Sequence, residues 1–248
     1  MKLLVTTALL ALAAPLAAQA QAVSAPIQTA LADPGRPATD KERDAARHPG
    51  ELLAFAGVKP GDKVADFIMG GGYFTRILAK TVGDKGHVYA YQPAEFIKFR
   101  AAYADEQKAA TTGYANVTPL SDSLATVKFA EPLDAIVTVQ NWHDLHLKQS
   151  PTGFAAAMAK RLYDNLKPGG VLLVVDHVAA ADPGFAVPDK LHRIDPAAAR
   201  AEIEGAGFKF DGSLPLLANP ADPHTAIVFD PSIRGKTDQF VYRFRKPG

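Results

Sequence analysis

The sequence predicts an α/β protein: a doubly wound, Rossmann-like sheet of about seven strands, mostly parallel, with an antiparallel C-terminal hairpin edge. Three observations lead there. Residues 64–80 read as strand, glycine-rich turn and helix: Val64 to Ile68 is apolar but for Asp66, Gly70, Gly71 and Gly72 follow, and Tyr73, Phe74, Ile77 and Leu78 recur at helical spacing. Short apolar runs rich in β-branched residues then alternate with helical segments, the pattern of βαβ units and a parallel sheet. Finally, the runs Phe208–Phe210 and Asp238–Phe244 have no helix between them, so they should pair antiparallel.

Taken in order, residues 1–22 read as a targeting leader. Lys2 is its basic start and Leu3 to Ala14 its apolar stretch, too short to span a bilayer; Pro15 breaks it, and Ala18-Gln-Ala20 has the form of a cleavage site. The expectation is export to the periplasm, with cleavage near Ala20 or Ala22. Residues 23–48 are expected to form an N-terminal arm: 23–39, with Pro26, Pro34, Gly35 and Pro37, extended with one turn of helix, then a helix capped by Asp40 and running to Arg47. A single domain then spans 49–248. Pro49 opens a helix that stops at Gly57. Strand 64–68, helix 73–82 and strand 87–91 form the first βαβ unit, with a right-handed crossover. One helix over 94–110 should bury Phe96, Ile97, Phe99 and Tyr103. Strands are expected at 116–120, 134–139 and 171–175, with helix 151–166 stopped by Leu166-Lys-Pro-Gly-Gly170. Asp195-Pro196 caps and opens a further helix ending at Gly205 or Gly207.

Composition narrows the function. Apolar residues make up 48% and charged residues 21%, so the chain carries a packed core. A net charge of +1 gives no electrostatic ground for a nucleic-acid partner. The absence of cysteine excludes disulfides, thiolate metal sites, a cysteine nucleophile and a lipoprotein anchor. No stable membrane anchor is expected, and the oligomeric state is left open.

The glycine turn is a candidate ligand loop, since glycine lets a ligand approach the backbone and a helix start offers free N–H groups. Tyr73, beside the last glycine, is the aromatic residue nearest such a ligand. Asn141-Trp-His-Asp-Leu-His146 follows the fourth strand, at the end of the sheet where ligands sit in this architecture. His143 could take a proton from an acceptor, or equally cap the segment that follows it. Asp176-His177 ends the fifth strand at the same cleft, and His192 and Asp195 lie on the segment crossing above it. His143, His177 and His192 are therefore the candidate catalytic residues. His-x-x-His outside a helix is a weak metal signal, so no metal ligand is assigned. Arg234-Gly-Lys-Thr-Asp238 precedes a strand rather than a helix and reads as a turn, not a phosphate loop.

With the element order, the glycine turn and Leu166-Lys-Pro-Gly-Gly170 in place, residues 50–245 resemble the class I S-adenosylmethionine-dependent methyltransferases. Arg43-Asp-Ala-Ala-Arg-His-Pro49, Gly70-Gly-Gly-Tyr-Phe-Thr-Arg76, Asn141-Trp-His-Asp144, His192-Arg-Ile-Asp195 and Arg234-Gly-Lys-Thr-Asp238 resemble a subgroup of exported bacterial predicted methyltransferases. The resemblance implies S-adenosylmethionine as cofactor and a small-molecule methyl acceptor. It implies that Asp66 organises the loop and faces the methionine amino group, that Gly70 and Gly72 are the second and third glycines of the family turn with Gly71 between them, that Asp122 meets the adenine amino group, and that Asn141 and Trp142 form the floor below the methyl group. Two positions depart from the pattern. Ile68 stands where the family has its first glycine, and Gln92 where it has the acid that accepts both ribose hydroxyls. An amide bonds a diol without charge assistance, so affinity should fall. These departures, with the leader, motivate an alternative of a different class: an exported fold that has lost transfer activity and binds another ligand or a partner.

Overall fold

The computed structural model describes residues 22–182 and 184–248. Except for Ala22, the expected leader lies outside the described residues. The first four helices, α1 (Ala25–Ala32), α2 (Ala38–Lys41), α3 (Asp44–Arg47) and α4 (Pro49–Ala56), come before any strand. Residues expected to be an extended arm are thus largely helical. Pro26 lies in the first turn of α1, where its missing N–H leaves no bond unmade, so it starts the helix instead of breaking it. Ile27 and Ala30 of α1 are buried in the main core. Asp40 does not cap a helix either; its carboxylate sits inside, accepting from Arg76 Nε at 2.8 Å and from Arg43 Nη2 at 2.6 Å.

The alternating part follows: β1 (Lys63–Phe67), α5 (Tyr73–Val82), β2 (His87–Tyr91), α6 (Ala94–Phe99), α7 (Ala102–Thr111), β3 (Val117–Leu120), β4 (Leu133–Val139), α8 (Phe154–Asn165), β5 (Leu166–His177), α9 (Pro188–Leu191), α10 (Pro196–Gly205), β6 (Lys209–Ser213) and β7 (Gln239–Arg245). The seven strands form one sheet in the order β3-β2-β1-β4-β5-β7-β6. β1 to β5 pair in parallel, and β7 runs antiparallel between β5 and β6. The strand order reverses between β1 and β4, and the carboxyl ends of the strands at such a reversal are where ligands sit in this architecture. Apolar cores cover both faces, one built with α1, α4 and α5 and the other with α8 and α10. No helix among the described residues is long and apolar enough to cross a membrane.

Two local expectations need correction. The helix expected over 94–110 breaks at Arg100, whose backbone is extended, and Phe99, expected on the inner face, is 90% exposed. Alanine-rich periodicity alone does not register such a break. Leu166-Lys-Pro-Gly-Gly170 does not simply stop a helix. It opens β5 as a bulge, with Leu166 opposite Leu133 and Val171 opposite Ala135. By contrast, Asp195 caps α10 as expected, accepting from Ala197 N at 2.8 Å, with Pro196 in the first turn.

Candidate functional site

The turn after β1 is built from three residues at positive φ: Ile68 (62°), Gly70 (54°) and Gly72 (76°). For a β-branched side chain this region is strained, so Ile68 keeps the backbone path of a glycine at a conformational cost. Its carbonyl accepts from Asn141 Nδ2 at 3.0 Å, and the same amide donates to Val139 O at 2.9 Å, tying the turn to the end of β4. At Gly72 a Cβ would lie 2.2 Å from that of Ala110 on α7. Gly72→Ala should therefore cost roughly 2–5 kcal/mol, from strain and overpacking together. Urea unfolding checks it; a loss below 1 kcal/mol would show that the turn can shift.

Gly70 N donates to Gln92 Oε1 at 2.9 Å. Gln92 is wholly buried, and its Nε2 finds no protein partner. Asp66 is also buried, accepting from Thr75 Oγ1 at 2.6 Å. Burial raises its carboxyl from 3.8 to about 6, against the lowering effects of Thr75, Arg47 and Arg76. Tyr73 turns toward the N-terminal helices: its hydroxyl donates to Asp44 Oδ1 at 2.6 Å, and the guanidinium groups of Arg43 and Arg47 lie 4.9 and 4.6 Å from its ring centre. Asp122 is exposed at the rim after β3, its main-chain carbonyl accepting from the Tyr91 hydroxyl at 3.1 Å. Gly71 is exposed at the crest of the turn.

Sequence reasoning missed Arg47 as a site residue. It comes from α3 to the end of β4, where Nη1 donates weakly to Gln140 Oε1 at 3.4 Å and Nε is buried without a partner. Gln140 itself is held at φ 65°. Arg47 lies in a segment the sequence singles out, yet no periodicity brings it 93 residues along the chain to Gln140.

Beyond β4 and β5 lies a second polar group. His143 opens a short 3-10 turn (His143–His146), and its backbone N and ring Nδ1 both engage Asp176, at 2.7 Å to Oδ2 and Oδ1. Its Nε2 lies 3.3 Å from His192 Nδ1 and 3.3 Å from Asp144 Oδ1. Burial pulls its pKa down, but the carboxylates of Asp176 and Asp144 outweigh that and hold it at about 10. At neutral pH the His143 ring alone is therefore a proton donor rather than a base. Asp144 is the counterpart: burial raises its pKa, and the two histidines bring it down to about 2. His177 packs beside this group, its ring centre 5.9 Å from that of His143, but its Nδ1 lies 2.7 Å from Thr237 Oγ1, and burial lowers its pKa to about 4. His146 leaves the cluster as well; its Nε2 is 3.1 Å from Glu202 Oε2 and its ring stacks on Phe185. His192 arrives because residues 192–194 lie alongside the end of β5, with Ile194 N donating to His177 O and Ala179 N to Ile194 O.

A parallel five-strand run, an antiparallel β7 inserted beside β5 and a glycine turn at the reversal point define the class: this is the fold of S-adenosylmethionine-dependent methyltransferases. A crystal structure of a SAM-dependent methyltransferase from Aquifex aeolicus shares it at 22% identity, covering 88% of this chain and 96% of that one with a TM-score of 0.55. The [4+2]-cyclase SpnF shares it too, at 18% identity, 90% and 92% coverage and a TM-score of 0.57. At these identities the likeness shows the fold and not the reaction. A curated protein-L-isoaspartate O-methyltransferase from Ignicoccus hospitalis is 28% identical over 141 residues; these span 56% of this chain and 57% of that relative's length. No family model matches the chain.

Proposed function

We propose that the chain is a methyltransferase that moves a methyl group from S-adenosylmethionine to an oxygen of an acceptor bound beside His143 and Asp144. The observation that carries this is the glycine turn at the sheet's reversal point, with Asp66 and Gln92 buried behind it. The residues fit the cofactor. The partnerless Nε2 of Gln92 would gain a ribose hydroxyl as acceptor, and the raised carboxyl of Asp66 would gain an ammonium group as counter-charge. Arg47, underpaired at the end of β4, would hold a carboxylate. When bound, S-adenosylmethionine supplies an electrophilic methyl group. The protein contributes mainly alignment: Asn141 fixes the turn against β4, and the cationic His143 orients an anionic acceptor oxygen. An acceptor carboxylate needs no base, which suits a cluster whose innermost ring is already protonated. The isoaspartate O-methyltransferase relative favours oxygen as the receiving atom.

Calorimetry with S-adenosylmethionine tests the reading. Binding is expected, and Gln92→Glu, which keeps the bond to Gly70 while offering a charged acceptor to the diol, should tighten it about 10-fold, or roughly 1.4 kcal/mol. No heat and no thermal shift at millimolar cofactor would leave the alternative, a fold binding another ligand or a partner.

The pattern over residues 1–22 supports a further part of the reading: the chain is exported and acts in the periplasm as residues 23–248 or a little longer. N-terminal sequencing of the fractionated protein would decide it. An intact N-terminus in the cytoplasmic fraction would end that part.

A further inference from the structure

We propose that His143, Asp144 and His192 form a binding site for a divalent transition metal, zinc in the first instance, with three protein ligands and one open position. The three ligating atoms make a nearly regular triangle: His143 Nε2 to His192 Nδ1 is 3.3 Å, His143 Nε2 to Asp144 Oδ1 is 3.3 Å, and His192 Nδ1 to Asp144 Oδ1 is 3.6 Å. Metal–ligand bonds of roughly 2.0–2.1 Å in a tetrahedral site separate neighbouring ligands by roughly 3.3–3.4 Å, whereas an octahedral site would bring them to roughly 3.0 Å. Two of the observed edges match the tetrahedral value, and the third, at 3.6 Å, lies on its far side, away from the octahedral one. Protons account for the cluster less well: N–H groups on both rings would give Asp144 one bond at 3.3 Å and a weak contact at 3.6 Å, but would set the two N–H groups against each other at 3.3 Å.

Surrounding groups support the same reading. Asp176 accepts the Nδ1–H of His143 at 2.7 Å and also binds its backbone N–H, which fixes the ring and turns Nε2 toward the other two ligands. A carboxylate behind a ligating histidine is the usual outer support of such sites. His192 is held at φ 52°, a strained conformation for a non-glycine residue, by the backbone ladder joining Ile194 to His177 and Ala179. Side-chain exposure rises from 4% at His143 to 14% at Asp144 and 25% at His192, so the cluster opens outward on one side and a fourth ligand can enter. Two imidazoles and a carboxylate, with no thiolate, suit zinc and its neighbours in the first transition row. Binding exchanges the metal for the proton on His143 Nε2, which leaves to solvent, so in the loaded chain the ion takes over the positive charge that the His143 ring carries in the metal-free chain. Only the role of the ion, polarising the acceptor oxygen at the open position, rests on the methyl-transfer reading; its binding does not.

Equilibrium dialysis of the full mature chain against zinc chloride, followed by metal analysis, tests the site. One zinc per chain is expected. His192→Gln and Asp144→Asn should each weaken binding on the order of 100-fold or more, and Asp176→Asn by about 10–100-fold. His146→Gln should leave binding unchanged, because that ring is engaged elsewhere. Far-UV circular dichroism confirms that each variant is folded. Cobalt(II) in place of zinc should give the intense visible bands of a four-coordinate ion. Unchanged zinc affinity in His192→Gln, no stoichiometric zinc, or a weak six-coordinate cobalt spectrum would each overturn the proposal. Zinc bound without any affinity for S-adenosylmethionine would keep the site and remove only the role given to the ion.

Discussion

Replacing Arg193 with alanine is expected to lower folding stability by about 3–5 kcal/mol, a large part of what a domain of this size has. Arg193 and Asp222 are both fully buried and face each other in a two-pronged ion pair, with Nη1 to Oδ2 at 2.8 Å and Nη2 to Oδ1 at 3.0 Å. The guanidinium also donates to Val178 O and Ala226 O, both at 2.9 Å. Asp222 in turn accepts the backbone N–H groups of Asp238 and His224. Burial raises the carboxyl's pKa, and Arg193 with these N–H groups brings it below the usual range. Alanine would leave a buried carboxylate without its counter-charge and two part-buried carbonyls without donors. Arg193→Lys should be nearly as damaging, because an ammonium cannot reproduce the fork. Urea unfolding measures both, and a loss under about 1 kcal/mol for Arg193→Ala would contradict the argument. Arg193 adjoins His192, so a folded variant should also bind zinc more weakly than the parent.

The second large effect depends on pH. Asp66 is buried, with its carboxyl raised from 3.8 to about 6. Between these two values the folded chain keeps a proton that the unfolded chain has released. Stability is therefore fully present below pH 3.8, declines as pH rises toward 6, and levels off above it. The difference of about two units corresponds to roughly 3 kcal/mol. Asp66→Asn removes this dependence while nearly preserving shape. Relative to the parent, the variant should gain up to roughly 3 kcal/mol between pH 3.8 and 7.5, with no further gain above pH 7. Unfolding by urea at pH 4, 5.5 and 7.5 follows the difference, in which all other titrations cancel; a pH-independent difference would refute the assignment. The same variant should bind S-adenosylmethionine more weakly, since the charged carboxylate is what an ammonium group would meet.

Much of the framework was readable along the chain. The strand–glycine–helix unit at 63–82 and the cap at Asp195-Pro196 rest on interactions between residues close in sequence, where periodicity and turn chemistry carry the signal; the antiparallel pairing of the last two strands was readable from the lack of a helical pattern between them. Prolines were ambiguous for the same reason. Pro26 starts a helix where an extended arm was expected, since proline is at home both in extended chain and in a helix's first turn. The candidate site was legible as a set of residues but not as an arrangement. Of His143, His177 and His192, the first and last face each other nitrogen to nitrogen at 3.3 Å; His177, its ring centre 5.9 Å from that of His143, bonds Thr237 instead.

By itself, then, the sequence determined the strands, the helices that alternate with them in outline and the glycine turn, because each follows from side-chain periodicity or backbone freedom over a few residues. The tertiary structure alone decided that Arg47 reaches the end of β4, that Gln92 spends its carbonyl on Gly70, and that His143, Asp144 and His192 converge. Apart from the adjacent His143 and Asp144, those contacts join residues from 22 to 93 positions apart, and parts of different elements meet there only because the order of strands brings their carboxyl ends to one side of the sheet.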